Sequence, residues 1–174
     1  FAVHPAGRAP SDTASALDNE VVFNPTFDNI AFTGLHIDAP LPHDLRGEVY
    51  AFGLDESDAS DAPSRNRDLL TLGGRLRRES DTGVFDFDLE YAHQTGTQRA
   101  TNAALDITDL DHEASMLHLE GGYTFDTPWS PRVSVLYDYA SGDASPADLE
   151  SGRFDSLFGD RSFEFGPTSI WGAI

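Results

Sequence analysis

Apolar and polar residues alternate with a period of two in six stretches: Ile30–Ile37, Leu45–Leu54, Asp68–Glu79, Gly83–Gln94, Glu113–Phe125 and Arg132–Ala140. A period of two places successive side chains on opposite faces of an extended strand, whereas an amphipathic helix repeats near 3.6 residues. Each stretch is rich in Val, Phe, Tyr, Leu or Gly and ends in turn-forming residues, so each predicts a strand. In "VFDFDLEY" one row is Phe85, Phe87, Leu89 and Tyr91, and the other is Asp86, Asp88 and Glu90. Elsewhere Leu70, Leu72, Gly74 and Leu76 oppose Thr71, Gly73, Arg75, Arg77 and Glu79. Leu117, Leu119, Gly121, Tyr123 and Phe125 oppose His118, Glu120 and Thr124, and Val133, Val135, Tyr137 and Tyr139 oppose Arg132, Ser134, Leu136 and Asp138. The expectation is that no charge falls on the apolar rows.

The connections add a second pattern. "DAPLPHD", "SDT" and "DTPWS" are short, while "DESDASDAPSRNR", "TGTQRATNAALDITDLDH" and the run from Ser141 are long. Short and long connections alternate, so the predicted fold is all-β: an antiparallel up-and-down meander with unlike ends. Tight turns at one end and long loops at the other characterise transmembrane β-barrels of the outer membrane. In that reading the apolar rows meet lipid, where a mid-bilayer Arg or Lys costs about 2–4 kcal/mol, and the ionic rows face water. Tyr123–Phe125, Trp129 and Tyr137–Tyr139 lie near strand ends, where an interfacial aromatic girdle belongs. The alternative is a soluble acidic β-sandwich binding carbohydrate or Ca2+, its apolar rows buried against a second sheet.

Charge narrows the partners. The 174 residues carry 30 Asp+Glu against 11 Lys+Arg, a net −19, and every one of the cations is Arg. A nucleic-acid partner is not expected of such a surface. The chain has no Cys, so neither a disulfide framework nor a thiol nucleophile enters the picture. No stretch is long and apolar enough for a transmembrane helix.

Candidate chemistry lies on the ionic rows. Arg46, Glu48, Arg75, Arg77, Asp86, Asp88, Glu90, His118, Glu120, Arg132 and Asp138 are the expected pore-lining residues. Arg75 and Arg77 stand across a tight turn from Asp86, Asp88 and Glu90, where cross-strand pairing would fix the electrostatics of a pore. The acidic groups Asp55/Asp58/Asp61 and Asp106/Asp109/Asp111/Glu113 are oxygen-rich, but neither has EF-hand spacing; solvated loops are the reading, with Ca2+ as the minor option. The six His form no HExxH pair, and no metal or other cofactor is expected. A carboxylate pair could in principle hydrolyse glycosides, but an acid-rich face brings such pairs together by chance, and no catalytic residue is assigned.

The C-terminal stretch contains Tyr137-Asp138-Tyr139-Ala140-Ser141-Gly142-Asp143, then Arg153-Phe154-Asp155-Ser156-Leu157-Phe158-Gly159, then Phe163-Glu164-Phe165-Gly166-Pro167. This succession resembles the alginate-export family of Gram-negative outer-membrane barrels, most strongly over residues 132–174. The resemblance implies a monomeric barrel in outer-membrane lipid and lipopolysaccharide, exporting an anionic polysaccharide through an arginine-lined constriction flanked by acids. On that basis Arg46, Arg75, Arg77 and Arg132 are placed on the solute path. The motif loop with Arg153, Phe154, Asp155, Phe158 and Arg161 is expected to fold into the mouth. The chain departs from the family in its acid excess, so a different polar solute stays open. Six strands cannot close a barrel of about eight or more. Residues 1–174 are therefore expected to be an internal portion of a larger barrel, with 1–29 loop-like.

Overall fold

The computed structural model describes residues 1–5, 17, 26–59, 64–145 and 147–158. Within them the strands are β1 (Ala2–Val3), β2 (Ile30–Leu41), β3 (Leu45–Glu56), β4 (Asp68–Arg78), β5 (Phe85–Arg99), β6 (Asp109–Thr124), β7 (Arg132–Ala140) and β8 (Glu150–Ser151). Strands β1 to β7 pair in sequence order, and β8 pairs with β6. Every pair along β1–β7 is antiparallel, and β8 lies parallel to β6. The all-β up-and-down meander stands as expected, with β2 to β7 covering the six alternating stretches.

Three boundaries differ from the sequence reading by four residues or more. β2 runs on to Leu41 through Pro40, which pairs in register with Arg46. Proline is tolerated there because Pro40, like Gly34, turns its nitrogen away from β3, toward a side where among the described residues β1 pairs only with Thr33 and Phe32, so its missing N–H leaves no bond to β3 unmade. The hairpin then closes over Pro42–Asp44, with His43 and Asp44 at positive φ (66° and 59°). β5 continues to Arg99 and β6 begins at Asp109, so much of the predicted long loop is strand. The side chains that look loop-like there, Gln98 and His112, are buried and bonded to each other, and His112 also bonds the buried Gln94 at the predicted strand end.

The register gives every strand a consistent pair of faces. One face carries Leu35, Val49, Leu72, Phe85, Tyr91, Val133 and Val135, all exposed, with Phe85 at 72 % and Val135 at 75 %. Among the described residues nothing packs across this face. The sandwich alternative needs a second layer against these rows, and the described sheet has none. Charge does enter this face, contrary to the sequence expectation, but only at its ends: Arg78 beside the short turns, and Asp55, Asp68, Arg99, Asp109, Asp111 and Glu113 beside the long loops. Between those limits a strand such as Phe85–Tyr91 presents apolar side chains along roughly 20 Å of its length. Phe85 and Tyr123 pack with ring centroids 4.8 Å apart, and Tyr123 meets Phe125 at 5.1 Å, forming an aromatic cluster at the short-turn border.

The opposite face divides in two. Its half toward the short turns is ionic. Its other half carries Leu54, Leu69, Ala92, Ala114 and buried polar groups, and the chain after β7 folds back over it. Phe154, 8 % exposed, packs on Ala92 and Ala114 beside Tyr50, Met116 and Ala140.

Candidate solute path on the ionic face

Cross-strand register decides which charges meet. Arg75 lies opposite Glu90 and Arg77 opposite Asp88, and the guanidinium of Arg75 forks onto Asp88 while its Nε stays 3.9 Å from Glu90 Oε2. Arg77 Nε lies 3.5 Å from Glu48 Oε1, and the other Glu48 oxygen is 3.2 Å from His36 Nε2. Arg46 forks onto Asp38. Arg132 of β7 reaches across β6 to Asp86 of β5 and also donates to Glu120 Oε1 at 2.7 Å. His118 Nδ1 lies 2.5 Å from Asp138 Oδ1, and the Tyr50 hydroxyl donates to Glu90 at 2.7 Å.

All eleven residues read from the sequence as pore-lining thus lie on one face, and each of the four arginines among them has a carboxylate partner. Asp38, His36 and Tyr50 belong to the same lattice but were not singled out from the sequence. Tyr50 shares the parity of Arg46 and Glu48, which is the signal that could have found it. Asp38 was hidden in a stretch read as turn.

The motif loop contributes at the other end of this face. Asp155 accepts from Arg67 Nη1 at 2.9 Å, and Arg67 also forks onto Glu56. The Asp155 backbone N–H donates to Gln94 Oε1 at 2.9 Å, and Gln94 Nε2 donates back to the Asp155 carbonyl at 3.1 Å. Gln98 donates to Ser151 Oγ at 2.6 Å and meets His112 Nδ1 at 2.9 Å. Phe154 is buried and Phe158 sits edge-on to Phe32 with ring centroids 5.2 Å apart. Arg161 lies outside the described residues, as do Asp61 and the Phe163–Pro167 element.

A cleft of about 740 Å3 opens between this loop and the two other long connections, with Arg65, Arg67 and Arg153 among its lining residues beside Glu56 and Asp143. Arg65 uses its Nε to donate to the Arg99 carbonyl at 2.9 Å. Burial holds the Arg65 pKa below its ordinary value, the like charges of Arg67 and Arg153 add to that, and Asp155 and Glu56 oppose it. Arg67 is shifted the other way, chiefly by its bond to Glu56.

The acidic loops use their carboxylates internally. Asp58 accepts the Ser64 N–H at 3.2 Å and pairs with Arg99, and Asp106 accepts the Thr101 hydroxyl and N–H at 2.8 and 2.7 Å. These donors hold both carboxyls below the usual range. Among the described residues no group of three or more His, Cys, Asp or Glu is gathered as metal ligands.

A one-layer meander, apolar on one side and ionic on the other, is the geometry of a barrel wall. The family model for alginate export matches residues 16–170. The chain belongs to the alginate-export family. No curated protein and no solved structure matches it. Alginate-export proteins are an outer-membrane transport family, and the sheet described above has the all-β architecture such a protein requires. The match includes all of β2 to β7 and the returning motif loop, so the family relation extends well beyond the C-terminal motif.

Proposed function

We propose that the chain forms part of the wall of an outer-membrane channel that passes an anionic polysaccharide, alginate or a polymer like it, by passive diffusion. The observation that carries this is the segregation of the two faces: apolar rows with no second layer on them among the described residues, against a series of ion pairs from β2 to β7 on the other side. Family membership supports the substrate class.

The ionic lattice sets how such a solute is handled. Arg46, Arg75, Arg77 and Arg132 already share acidic partners, so a passing carboxylate exchanges with Asp38, Asp88, Glu48 or Asp86 rather than meeting a bare cation. Exchange of this kind lowers the depth of any one binding site, which favours conduction over trapping. Arg65 and Arg153, in the loop-lined cleft, have no carboxylate bonded to them among the described residues and supply the initial attraction.

The test is reconstitution of the full-length protein in planar bilayers. It should sediment with outer membranes, require detergent for extraction and conduct ions. Replacing Arg75 and Arg77 together with Ala should move the reversal potential toward cation preference. Recovery as a freely soluble protein, or an unmoved reversal potential, counts against the reading.

A further inference from the structure

Four aromatic rings run along the ionic face from the loop end toward its centre, and a fifth, Phe1, packs beside Phe32 and Phe52 at 5.5 and 6.2 Å. Phe158 meets Phe32 at 5.2 Å, Phe32 meets Phe52 at 5.7 Å, and Phe52 stacks on Tyr50 at 5.1 Å with an interplanar angle of 24°. Two glycines set how the rings lie. A Cβ on Gly73 would fall 2.2–2.4 Å from the Tyr50 ring, and one on Gly34 would fall 2.6 Å from Phe52. A side chain at either position would have to displace the rings, which rest here against the bare backbone of the neighbouring strand. Phe32, Tyr50 and Phe52 are only part-buried and Phe158 is 48 % exposed, so ring surface remains open on this side of a one-layer sheet. At its inner end the row meets the ion lattice, where Tyr50 donates to Glu90 and stands in register with His36.

Pairing of this kind suits one ligand chemistry. A pyranose ring has an apolar C–H face and a polar rim of hydroxyls and carboxylates. Aromatic faces take the former through dispersion and C–H···π contact, and charged neighbours take the latter. Successive ring centroids are spaced at about the length of one sugar unit, so adjacent pyranoses of a chain could rest on adjacent rings.

We propose that Phe158, Phe32, Phe52 and Tyr50 form a stacking track for the pyranose rings of the transported chain. The track makes the channel bind saccharide as such, in addition to recognising its charge. This rests on the channel reading above, and it extends that reading by predicting affinity for uncharged sugar chains. The alternative role for the rings, stabilising the sheet by covering glycine, alters folding but gives no selective response to saccharide.

The experiment is current block in planar bilayers containing the full-length protein in KCl, with maltohexaose as the neutral probe and an alginate hexamer as the charged one. Wild type should be blocked by both. Phe52→Leu and Tyr50→Leu keep apolar volume and remove the ring. Each should raise the half-blocking concentration of maltohexaose about five- to tenfold, the scale of one lost stacking contact, and in Phe52→Leu, which leaves the Tyr50–Glu90 bond in place, KCl conductance should stay unchanged. Phe52→Tyr and Tyr50→Phe keep the ring and should retain block even where a Leu variant folds poorly. The track is overturned if the Leu variants match wild type, if the ring-retaining variants lose block, or if maltohexaose fails to block wild type while the alginate hexamer does. A protein that passes no KCl current refutes the channel reading itself, and the track with it.

Discussion

Arg132 ties three strands together through two carboxylates, and the burial of its partners decides what it is worth. Asp86 is 5 % exposed, so removing the guanidinium leaves an acceptor stranded in the wall. Arg132→Ala should therefore lower stability by roughly 1–3 kcal/mol, toward the lower end because the arginine is itself partly in water. Urea unfolding in detergent micelles reads this directly, and adding Asp86→Asn to the variant should recover part of the loss. Asp58 illustrates the pH-dependent case. Its pKa is depressed in the folded state by the Ser64 N–H and by Arg99. The unfolded carboxyl binds its proton first as pH falls, so the tie contributes above the ordinary value of about 4 and is lost through the folded pKa below it. Hydrogen exchange at the Ser64 amide, corrected for intrinsic rate, should remain slow near pH 6 and quicken only below about pH 4. Asp58→Asn should abolish that step, and a step centred above the ordinary carboxylate value would contradict the assignment.

At the scale of elements, the segment following β7 is held to the sheet by β8, by buried Phe154 and by a set of side-chain bonds in which Gln94 is central. It is fully buried and bonds Thr71, His112 and both backbone groups of Asp155. Gln94→Ala leaves several buried partners unmatched, at about 1–3 kcal/mol each. Because the loop can lift away, the loss should appear as local opening rather than global unfolding. Trypsin cleavage after Arg153 should accelerate about tenfold or more, the equivalent of one such partner, with little change in the unfolding midpoint. A change in the midpoint with no change in cleavage would place Gln94 in the sheet's own stability instead. Element boundaries also show where sequence patterning stops being informative. The alternation located β2 to β7 and placed Gln94 at a strand end, but Gln98 and His112 read as loop. Their polar atoms bond one another, and that partnership is formed only after β5, β6 and the motif loop have come together.

For the molecule as a whole, the decisive contrast is between its two faces. Val135, at the centre of β7, is 75 % exposed on the apolar side, whereas Leu136 stands opposite Glu120 on the ionic side. Val135→Arg should impair insertion into lipid vesicles by about 2–4 kcal/mol, the cost of a cation at mid-bilayer. Leu136→Arg, one residue along the same strand, should insert nearly as wild type. Heat-modifiable migration of the folded species on gels measures both. Equal yields for the two variants would mean that the apolar rows do not face lipid. The sequence by itself determined the strands, their meander and the sorting of residues between faces, because a period of two fixes side-chain direction without reference to any partner. The tight turn also made the Arg75–Asp88 pair legible, but only the tertiary structure decided that Arg77 pairs with Glu48, Arg46 with Asp38 and Arg132 with Asp86, that the motif loop docks through Gln94 and Arg67, and that aromatic rings settle over glycines. Those outcomes depend on strand register and on contacts between segments far apart in the chain, and no local pattern encodes which residues will stand opposite one another.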